Sequence, residues 1–111
     1  MRDYDVGGIV VLDDGKPCGI VTDRDIVVRG LATGRDLETT SLGEICSCDL
    51  VTVSRTDGVE DAVSLMRQRA LRRLPVVDNE TVVGIVSIGD LMLERDPESP
   101  LADISSAPAN R

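Results

Sequence analysis

Apolar residues between positions 50 and 70 form one short run and then one longer stretch with helical spacing. The run "LVTVS" at residues 50 to 54 predicts a short strand. From residue 58 to 70, apolar side chains recur at helical intervals, which predicts an amphipathic helix. Asp57 and Glu60 have the spacing of an N-cap and N3 pair, so we expect the helix to begin there.

Two further apolar runs flank a polar turn and predict a hairpin. They are "LPVVD" at residues 74 to 78 and "VVGIVS" at residues 82 to 87. A helix is predicted from residue 89 to about residue 95, before Pro97. Upstream, "SLGEI" at residues 41 to 45 has the S-x-x-E form of a helix start and predicts a single turn. The predicted order is helix, strand, helix, strand, strand, helix.

The last three of these elements occur a second time near the start of the chain. "IVVLDDGKPCGIVTDRD", which begins at Ile9, aligns without a gap with "LPVVDNETVVGIVSIGD", which begins 65 positions later. The alignment predicts strands at residues 9 to 12 and 18 to 22, with a turn at Asp14-Gly15. A helix from residue 23 to 29 completes this shorter copy.

The shorter copy lacks a counterpart of residues 41 to 65, which would lie before Met1. Two explanations stay open: the true start lies upstream, or a partner chain covers the gap. We expect the first, because half a unit would expose a sheet face that is ordinarily buried. The predicted domains are a partial first repeat plus linker at 1–40, a complete second repeat at 41–96, and a polar tail at 97–111 that wraps the surface or frays.

Composition narrows the classes of protein that this chain can represent. It has no Phe, no Trp and one Tyr, so its core must be aliphatic. A net charge of −8 without stacking rings argues against nucleic acid as a partner. No apolar run is long enough to span a bilayer, and residues 2 to 5 lack the apolar region of a signal peptide, so a cytoplasmic protein is expected. Three cysteines (Cys18, Cys46 and Cys48) without a histidine fall short of a structural zinc site, so no metal is expected.

The repeated motif is a hydroxyl followed three positions later by an aspartate, as in Thr22-x-x-Asp25 and Ser87-x-x-Asp90. One interpretation is helix capping, in which the hydroxyl accepts the N3 amide and the carboxylate favours the positive end of the helix dipole. The other is a ligand site, in which the helix N-terminus suits a phosphate and the aspartate accepts ribose hydroxyls. Both roles use the same residue types, so the local motif does not separate them.

A longer pattern carries a family resemblance. "RRLPVVDNETVVGIVSIGDL", preceded by "VTVSRTDGVEDAVSLM", resembles the cystathionine-β-synthase (CBS) domain family, whose tandem pairs form the Bateman module. The second repeat resembles it over residues 41 to 95 and the first only over residues 1 to 29. The segments "GIVTDRDIVVRG" and "ERDPESPLADISSAPAN" further resemble small stand-alone bacterial proteins of the hypoxic-response type, made of little but one CBS pair.

The resemblance implies an α/β (α+β) fold of tandem repeats related by a pseudo-twofold axis, each a small three-stranded sheet flanked by helices. It implies a regulatory function, in which an adenosyl ligand such as AMP, ADP, ATP or S-adenosylmethionine binds in the cleft between the repeats and causes a conformational shift. It also implies a disc-like homodimer.

The resemblance also implies which residues would contact the ligand. Asp25 and Asp90 would hold ribose hydroxyls, and Thr22 and Ser87 would contact phosphate. Backbone around Thr52-Val53 and Leu74-Pro75-Val76 would frame the adenine. Arg72 and Arg73 would reach phosphates. Arg67 and Arg69, by contrast, are expected to be solvated at a helix C-terminus.

The two repeats differ in residues that affect the expected ligand site. The first repeat has Gly7-Gly8 where the second has arginines, and it lacks an initial strand, so the Ser87/Asp90 site is expected to be the more complete. An enzyme is disfavoured, since the chain has no histidine and no activated-nucleophile signature. The alternative to a ligand sensor is a structural or dimerisation module with no bound nucleotide.

Overall fold

The computed structural model describes residues 1–108 and divides the chain into two compact units, Met1–Leu50 (unit 1) and Val51–Arg111 (unit 2). Both units combine small sheets with helices, which confirms the predicted α/β class. None of the helices formed by the described residues is long and apolar enough to cross a membrane.

Unit 1 is built on an antiparallel hairpin. Strands β1 (Gly8–Asp13) and β2 (Lys16–Thr22) are joined by a turn in which Asp14 and Gly15 both have positive φ, a geometry that suits the twist of a two-residue hairpin. Ser47 pairs with the outer edge of β2 through an isolated antiparallel bridge to Ile20. The first unit therefore has a two-stranded sheet extended by a single bridge.

The helical part of unit 1 follows β2 directly. Helix α1 (Asp23–Asp25) continues into a π-helical turn at Ile26–Gly30 and a 3-10 turn at Leu31–Thr33. Residues 23–29, predicted as a helix, are thus helical, but they do not form a regular α-helix. A short helix, α2 (Leu42–Ile45), brings Ile45 and the following Cys46 against the hairpin. The unit's small core is formed by Val21, Ile45 and Cys46, with Met1, Val11 and Ile26 packed around them.

Unit 2 contains a three-stranded sheet of order β3-β4-β5. Its strands are β3 (Val53–Ser54), β4 (Arg73–Asp78) and β5 (Thr81–Ser87). Strand β3 runs parallel to β4 because α3 (Val59–Arg69) forms the crossover between them. Strands β4 and β5 form an antiparallel hairpin whose turn holds Asn79 and Glu80 at positive φ.

The core of unit 2 is aliphatic, as the composition requires. Ala62 and Met66 from α3 pack with Val53 and Leu74 of the sheet and with Leu91 of α4 (Ile88–Arg95). Leu74 is fully buried. Because the apolar face of α3 recurs at helical spacing, one side of the helix covers the sheet and the other remains in solvent.

The start of α3 differs from the prediction. Its N-cap is Gly58, whose amide donates to the carboxylate of Asp61 at 3.1 Å. Asp57, expected as the N-cap, instead accepts the amide of Ser54 at 2.8 Å. The carboxylate closes the turn after β3, so the helix begins one residue later and Glu60 is not its N3 residue.

The segment after Pro97 contains a helix that the sequence analysis did not assign. Helix α5 (Pro100–Ser106) begins at Ser99, whose hydroxyl accepts the amide of Ala102 at 3.2 Å. Ala102 is buried, and a Cβ added at Gly89 would lie 2.8 Å from Ser105 Oγ, so α5 packs closely on α4. The remainder of the predicted tail, residues 109–111, lies outside the described residues.

The sequence repeat reappears in the strands with the same separation. Strands β1 and β4 cover matching positions, as do β2 and β5, and both hairpins have a register shift at the same place, Val11/Leu12 and Val76/Val77. The compact units nevertheless divide at residue 50, because residues 41–48 pack in unit 1. The domain boundaries drawn from the repeat stay a prediction.

Candidate functional site

The two repeated motifs form matching capped corners where a strand enters a helix. In corner 1 (residues 22–25), the amide and hydroxyl of Thr22 donate to Asp25 Oδ2 at 2.9 and 2.8 Å. In corner 2 (residues 87–90), the amide and hydroxyl of Ser87 donate to Asp90 Oδ2 at 2.7 and 2.9 Å. In both corners the aspartate amide donates back to the hydroxyl at 3.2 Å. Both motifs therefore cap helices, and capping occupies one oxygen of each carboxylate.

The second carboxylate oxygen distinguishes the corners. Asp25 is buried, with 7% of its surface exposed, and its Oδ1 lies 3.6 Å from Nε of Arg29. Asp90 is exposed, and its Oδ1 has no hydrogen-bond or ion-pair partner within residues 1–108. Of the two aspartates, Asp90 is the one whose free oxygen is available to a hydroxyl group from outside the protein.

Backbone amides at corner 1 are occupied by the protein itself. The Asp23 amide donates to the carbonyl of Gly7 at 3.1 Å, and the Arg24 amide donates to the Asp23 carboxylate at 2.8 Å. With the Thr22 and Asp25 amides engaged in the cap, none of these four donors is left for an anion. At corner 2 the amides of Ser87, Ile88 and Asp90 are engaged in the same way, so amide bonding does not separate the corners, and the phosphate contacts at Thr22 and Ser87 stay predictions.

Corner 2 is placed beside the start of β4 by the register of the hairpin. Arg73 stands opposite Ser87, and the amide of Ile88 donates to the carbonyl of Arg72 at 3.0 Å. Strands β3 and β4 begin at this end of the sheet, whereas the antiparallel β5 ends there. Thr52, which directly precedes β3, therefore lies toward the same end as Arg73 and Ser87.

Two of the predicted contact residues are core residues. Val53 and Pro75 are both buried. Because their side chains are buried, only the backbone at these two positions could contact a ligand. Thr52 is half-buried and retains part of its surface.

The predicted cationic cluster is exposed and unpaired. Arg67, Arg69, Arg72 and Arg73 have no ion pair or side-chain hydrogen bond with any described residue. Arg55 and Arg95 are instead ion-paired, with Asp78 at 3.1 Å and with Glu60 at 2.9 Å. Because neighbouring positions at a strand start face opposite sides, only one of Arg72 and Arg73 can project to a given side of the sheet.

Sequence reasoning missed the role of Arg29. Its guanidinium donates to the carbonyls of Ile45 and Cys46 and to the Ser47 hydroxyl, each at 3.3 Å, while its Nε faces Asp25. It thereby ties the first-repeat helix to the segment that pairs with β2. A single arginine near a helix end gives no local signal of such a contact.

The cysteines contact one another but form no evident metal site. Cys46 Sγ and Cys48 Sγ lie 3.5 Å apart, and no group of three or more His, Cys, Asp or Glu side chains in the described part of the chain could hold a metal ion. Burial, together with the hydrogen bond to Cys48, raises the pKa of the Cys46 thiol.

We expect a thiol-reactive maleimide to label these cysteines at different rates under reducing conditions. Exposed Cys48 should react first and buried Cys46 last, because the thiolate is the nucleophile and burial suppresses it. Peptide mass mapping over time measures the order, with urea-unfolded protein as the control in which all three sites react. Equal labelling of Cys46 and Cys48 in the folded protein would contradict the burial of Cys46.

Comparison with known proteins settles the family. A sequence model of the CBS domain matches residues 1–31 and 42–96. The chain belongs to the CBS domain family. The matched ranges correspond to the shorter and longer repeats, and the resemblance drawn from the motifs is confirmed.

The chain's relatives include CBS proteins from bacteria. It is 43% identical to CBS domain-containing protein YhcV of Bacillus subtilis over 95 residues, covering 86% of this chain and 67% of YhcV. It is 35% identical to Hypoxic response protein 1 of Mycobacterium tuberculosis over 92 residues, covering 82% of this chain and 64% of that protein. The chain thus spans about two thirds of the length of these relatives.

Solved structures of CBS-domain proteins have the same fold as this chain. A protein with CBS domains from Burkholderia ambifaria superposes with a TM-score of 0.78 at 28% identity, covering 89% of this chain and 73% of the other. The CBS domain pair of protein MJ0100, solved with 5′-methylthioadenosine and S-adenosyl-L-methionine, gives a TM-score of 0.68 at 27% identity, with 81% and 70% coverage.

Proposed function

We propose that this chain is a regulatory module that binds an adenosyl ligand at corner 2 of unit 2. The observation that carries the proposal is the state of Asp90: its Oδ2 is fixed by Ser87, while its exposed Oδ1 is unpaired. A carboxylate held in this way is pre-oriented, so binding a ribose hydroxyl costs little additional side-chain order. The MJ0100 pair, which holds two adenosyl compounds, supports this class of ligand.

Each part of the ligand has a counterpart in unit 2. Asp90 accepts the ribose hydroxyls, and backbone near Thr52-Val53 and Leu74-Pro75-Val76 frames the adenine. Arg73, level with Ser87 and without a partner among the described residues, faces the phosphates. Arg72 is assigned a lesser role, because neighbouring positions at the start of a strand face opposite sides of the sheet.

Corner 1 has a structural role in this proposal. Asp25 is buried and its Oδ1 faces Arg29, so in this proposal corner 1 caps α1 rather than binds ligand. No catalytic residue is assigned, and the module acts by binding. The bound ligand stabilises one conformation, and a partner reads the shifted population.

A thermal-shift screen with AMP, ADP, ATP and S-adenosylmethionine tests the proposal. A ligand at ~100 times its dissociation constant stabilises the folded state by ~2.7 kcal/mol, which is readily seen in a melt. We expect at least one of the four to raise the melting temperature in a saturable way, while inosine or cytidine nucleotides do not. A melting temperature unchanged by all four compounds would contradict it.

Replacing Arg73 by alanine is expected to weaken ATP binding more than adenosine binding. A charge-assisted contact to phosphate contributes roughly 1.5–3 kcal/mol, and adenosine has no phosphate to lose. Titration calorimetry of both ligands measures the difference, with Arg69→Ala as the control, since Arg69 is also exposed and unpaired but ends α3. Equal losses for ATP and adenosine would exclude the phosphate role.

The alternative is a self-associating structural module with no bound nucleotide. It is favoured by exposed apolar side chains in both units. They include Val27, Val28 and Leu31 in unit 1, and Ile88, Leu93 and Ile104 in unit 2. Light scattering would detect the expected homodimer, and a homodimer that no adenosyl compound stabilises would favour this alternative.

A further inference from the structure

Residues 46–48, near the end of unit 1, hold two thiols in contact. Cys46 Sγ lies 3.5 Å from Cys48 Sγ, and both cysteines are free. The third cysteine, Cys18, makes no hydrogen bond to either sulfur within residues 1–108. Since a disulfide bond is about 2.05 Å long, a movement of roughly 1.5 Å would bring the two sulfurs to bonding distance.

The two thiols differ in their access to solvent. Cys48 is exposed, whereas Cys46 has only 7% of its surface exposed. An oxidant in solution therefore meets Cys48 first. Burial raises the pKa of the Cys46 thiol, so its reactivity depends on its closeness to the neighbouring sulfur. One exposed and one buried thiol in contact is the arrangement of an attacking and a resolving cysteine.

The backbone between the two cysteines is tied to the hairpin of unit 1. Ser47 exchanges two hydrogen bonds with Ile20 of β2, at 3.2 and 2.9 Å. The guanidinium of Arg29 donates to the carbonyl of Cys46 and to the Ser47 hydroxyl, each at 3.3 Å. A Cβ at Gly19 would lie 3.0 Å from Cys46 Sγ, so this thiol packs directly against β2. A movement of the sulfurs toward each other must therefore displace peptide groups that hold these bonds.

We propose that Cys46 and Cys48 form a reversible disulfide, so that residues 46–48 are a site of thiol oxidation by small-molecule disulfides of the glutathione class. Closure of this bond loosens the bridge between Ser47 and β2. A single residue separates the two cysteines, so the closed ring is strained, and strained disulfides are the readily reduced ones. The site lies within unit 1 and is independent of the adenosyl ligand proposed for corner 2.

The reaction consists of two thiol–disulfide exchanges. The Cys48 thiolate attacks one sulfur of the small disulfide, which forms a mixed disulfide and releases one small thiolate. Cys46 then gives its proton to water and attacks Cys48 Sγ, and the second small thiolate leaves. The two cysteines lose two electrons and two protons in total, and the small disulfide is reduced to two thiols.

Tryptic mass mapping of the full chain in glutathione buffers of increasing oxidised fraction tests the proposal. Trypsin cuts after Arg35 and Arg55, so both cysteines of the pair fall in the peptide 36–55, and Cys18 falls in another peptide. After free thiols are blocked, we expect this peptide to lose the mass of two hydrogen atoms, and dithiothreitol to restore it. The internal disulfide should exceed the mixed disulfide by about tenfold or more, because the second thiol is already in contact.

Three variants separate the roles of the cysteines. Cys48→Ser changes an exposed side chain and should abolish oxidation of the peptide 36–55, because the remaining thiol is buried. Cys46→Ala should stop the reaction at the mixed disulfide. Cys18→Ser is the matched control and should leave the internal disulfide unchanged. Only mixed disulfide in the parent, a bond to Cys18, or closure only in urea would overturn the proposal.

A second measurement tests the effect of closure on β2. Amide resonances of the isotope-labelled chain are compared before and after oxidation and again after reduction. We expect Ile20, Arg29 and Ser47 to shift reversibly, while Leu91 in the core of unit 2 stays in place. A closed disulfide with unchanged Ile20 and Ser47 resonances would overturn the link to β2. A spectrum that becomes that of an unfolded chain would overturn it as well.

Discussion

Replacing Leu74 by alanine is expected to lower the free energy of unfolding by about 2–5 kcal/mol, the range for a large-to-small change in a packed core. Leu74 is fully buried and lies in the cluster that joins the sheet to α3 and α4. The chain has no Phe or Trp, so no large aromatic side chain is available to fill the space. Urea unfolding followed by far-UV circular dichroism measures the loss.

Leu12→Ala provides the matched control for Leu74→Ala. It is the same substitution in a strand of the other unit, at a side chain that is 54% exposed. We expect it to cost well below 1.5 kcal/mol, because little apolar area leaves the interior. If the two variants unfold at the same urea concentration, the core of unit 2 is not where the structure places it.

The second large effect is expected for Asp90→Ala, which should change the stabilisation of the chain by ligand. Asp90→Ala should remove the stabilisation that an adenosyl ligand provides, about 2.7 kcal/mol at 100 times the dissociation constant. Without ligand it should cost only ~1 kcal/mol, the contribution of a helix cap at an exposed position. Thermal melts with and without ligand measure both quantities in the same protein.

Asp25→Ala should behave in the opposite way. It removes an equivalent cap and also leaves Arg29 without its buried carboxylate, so its cost without ligand should exceed that of Asp90→Ala. Ligand should still stabilise this variant. If Asp90→Ala keeps the full ligand effect while Asp25→Ala loses it, the assignment of the site to corner 2 is wrong.

The hairpins were predictable because their signals are local. Alternating apolar residues, a turn such as Asp14-Gly15, and a capping pair at each strand end lie within a few positions of one another. Strand β4 was predicted at 74–78 and is observed at Arg73–Asp78, while α4 begins one residue before its predicted start. The gapless repeat made each hairpin evidence for the other.

The remaining differences arise from contacts between distant residues or from competing local bonds. Asp57 closes the turn after β3 instead of capping α3, because the Ser54 amide is a competing donor. Helix α5 had a signal, Ser99 followed by Pro100 at N1, but the polar composition around it favoured a tail. The burial of Asp25 had no signal in the sequence, because it depends on how Arg29 and residues 45–47 pack against corner 1.

The central claim, that corner 2 is the adenosyl site, is tested most directly by amide chemical-shift mapping of the isotope-labelled chain. During titration with AMP, ADP, ATP and S-adenosylmethionine in turn, we expect saturable shifts concentrated at Ser87–Leu91 and at Arg73, with small changes at Thr22–Ile26. Asp90→Ala should abolish the shifts at corner 2. Shifts centred on Thr22–Ile26, or no saturable shift with any of the four compounds, would contradict the account.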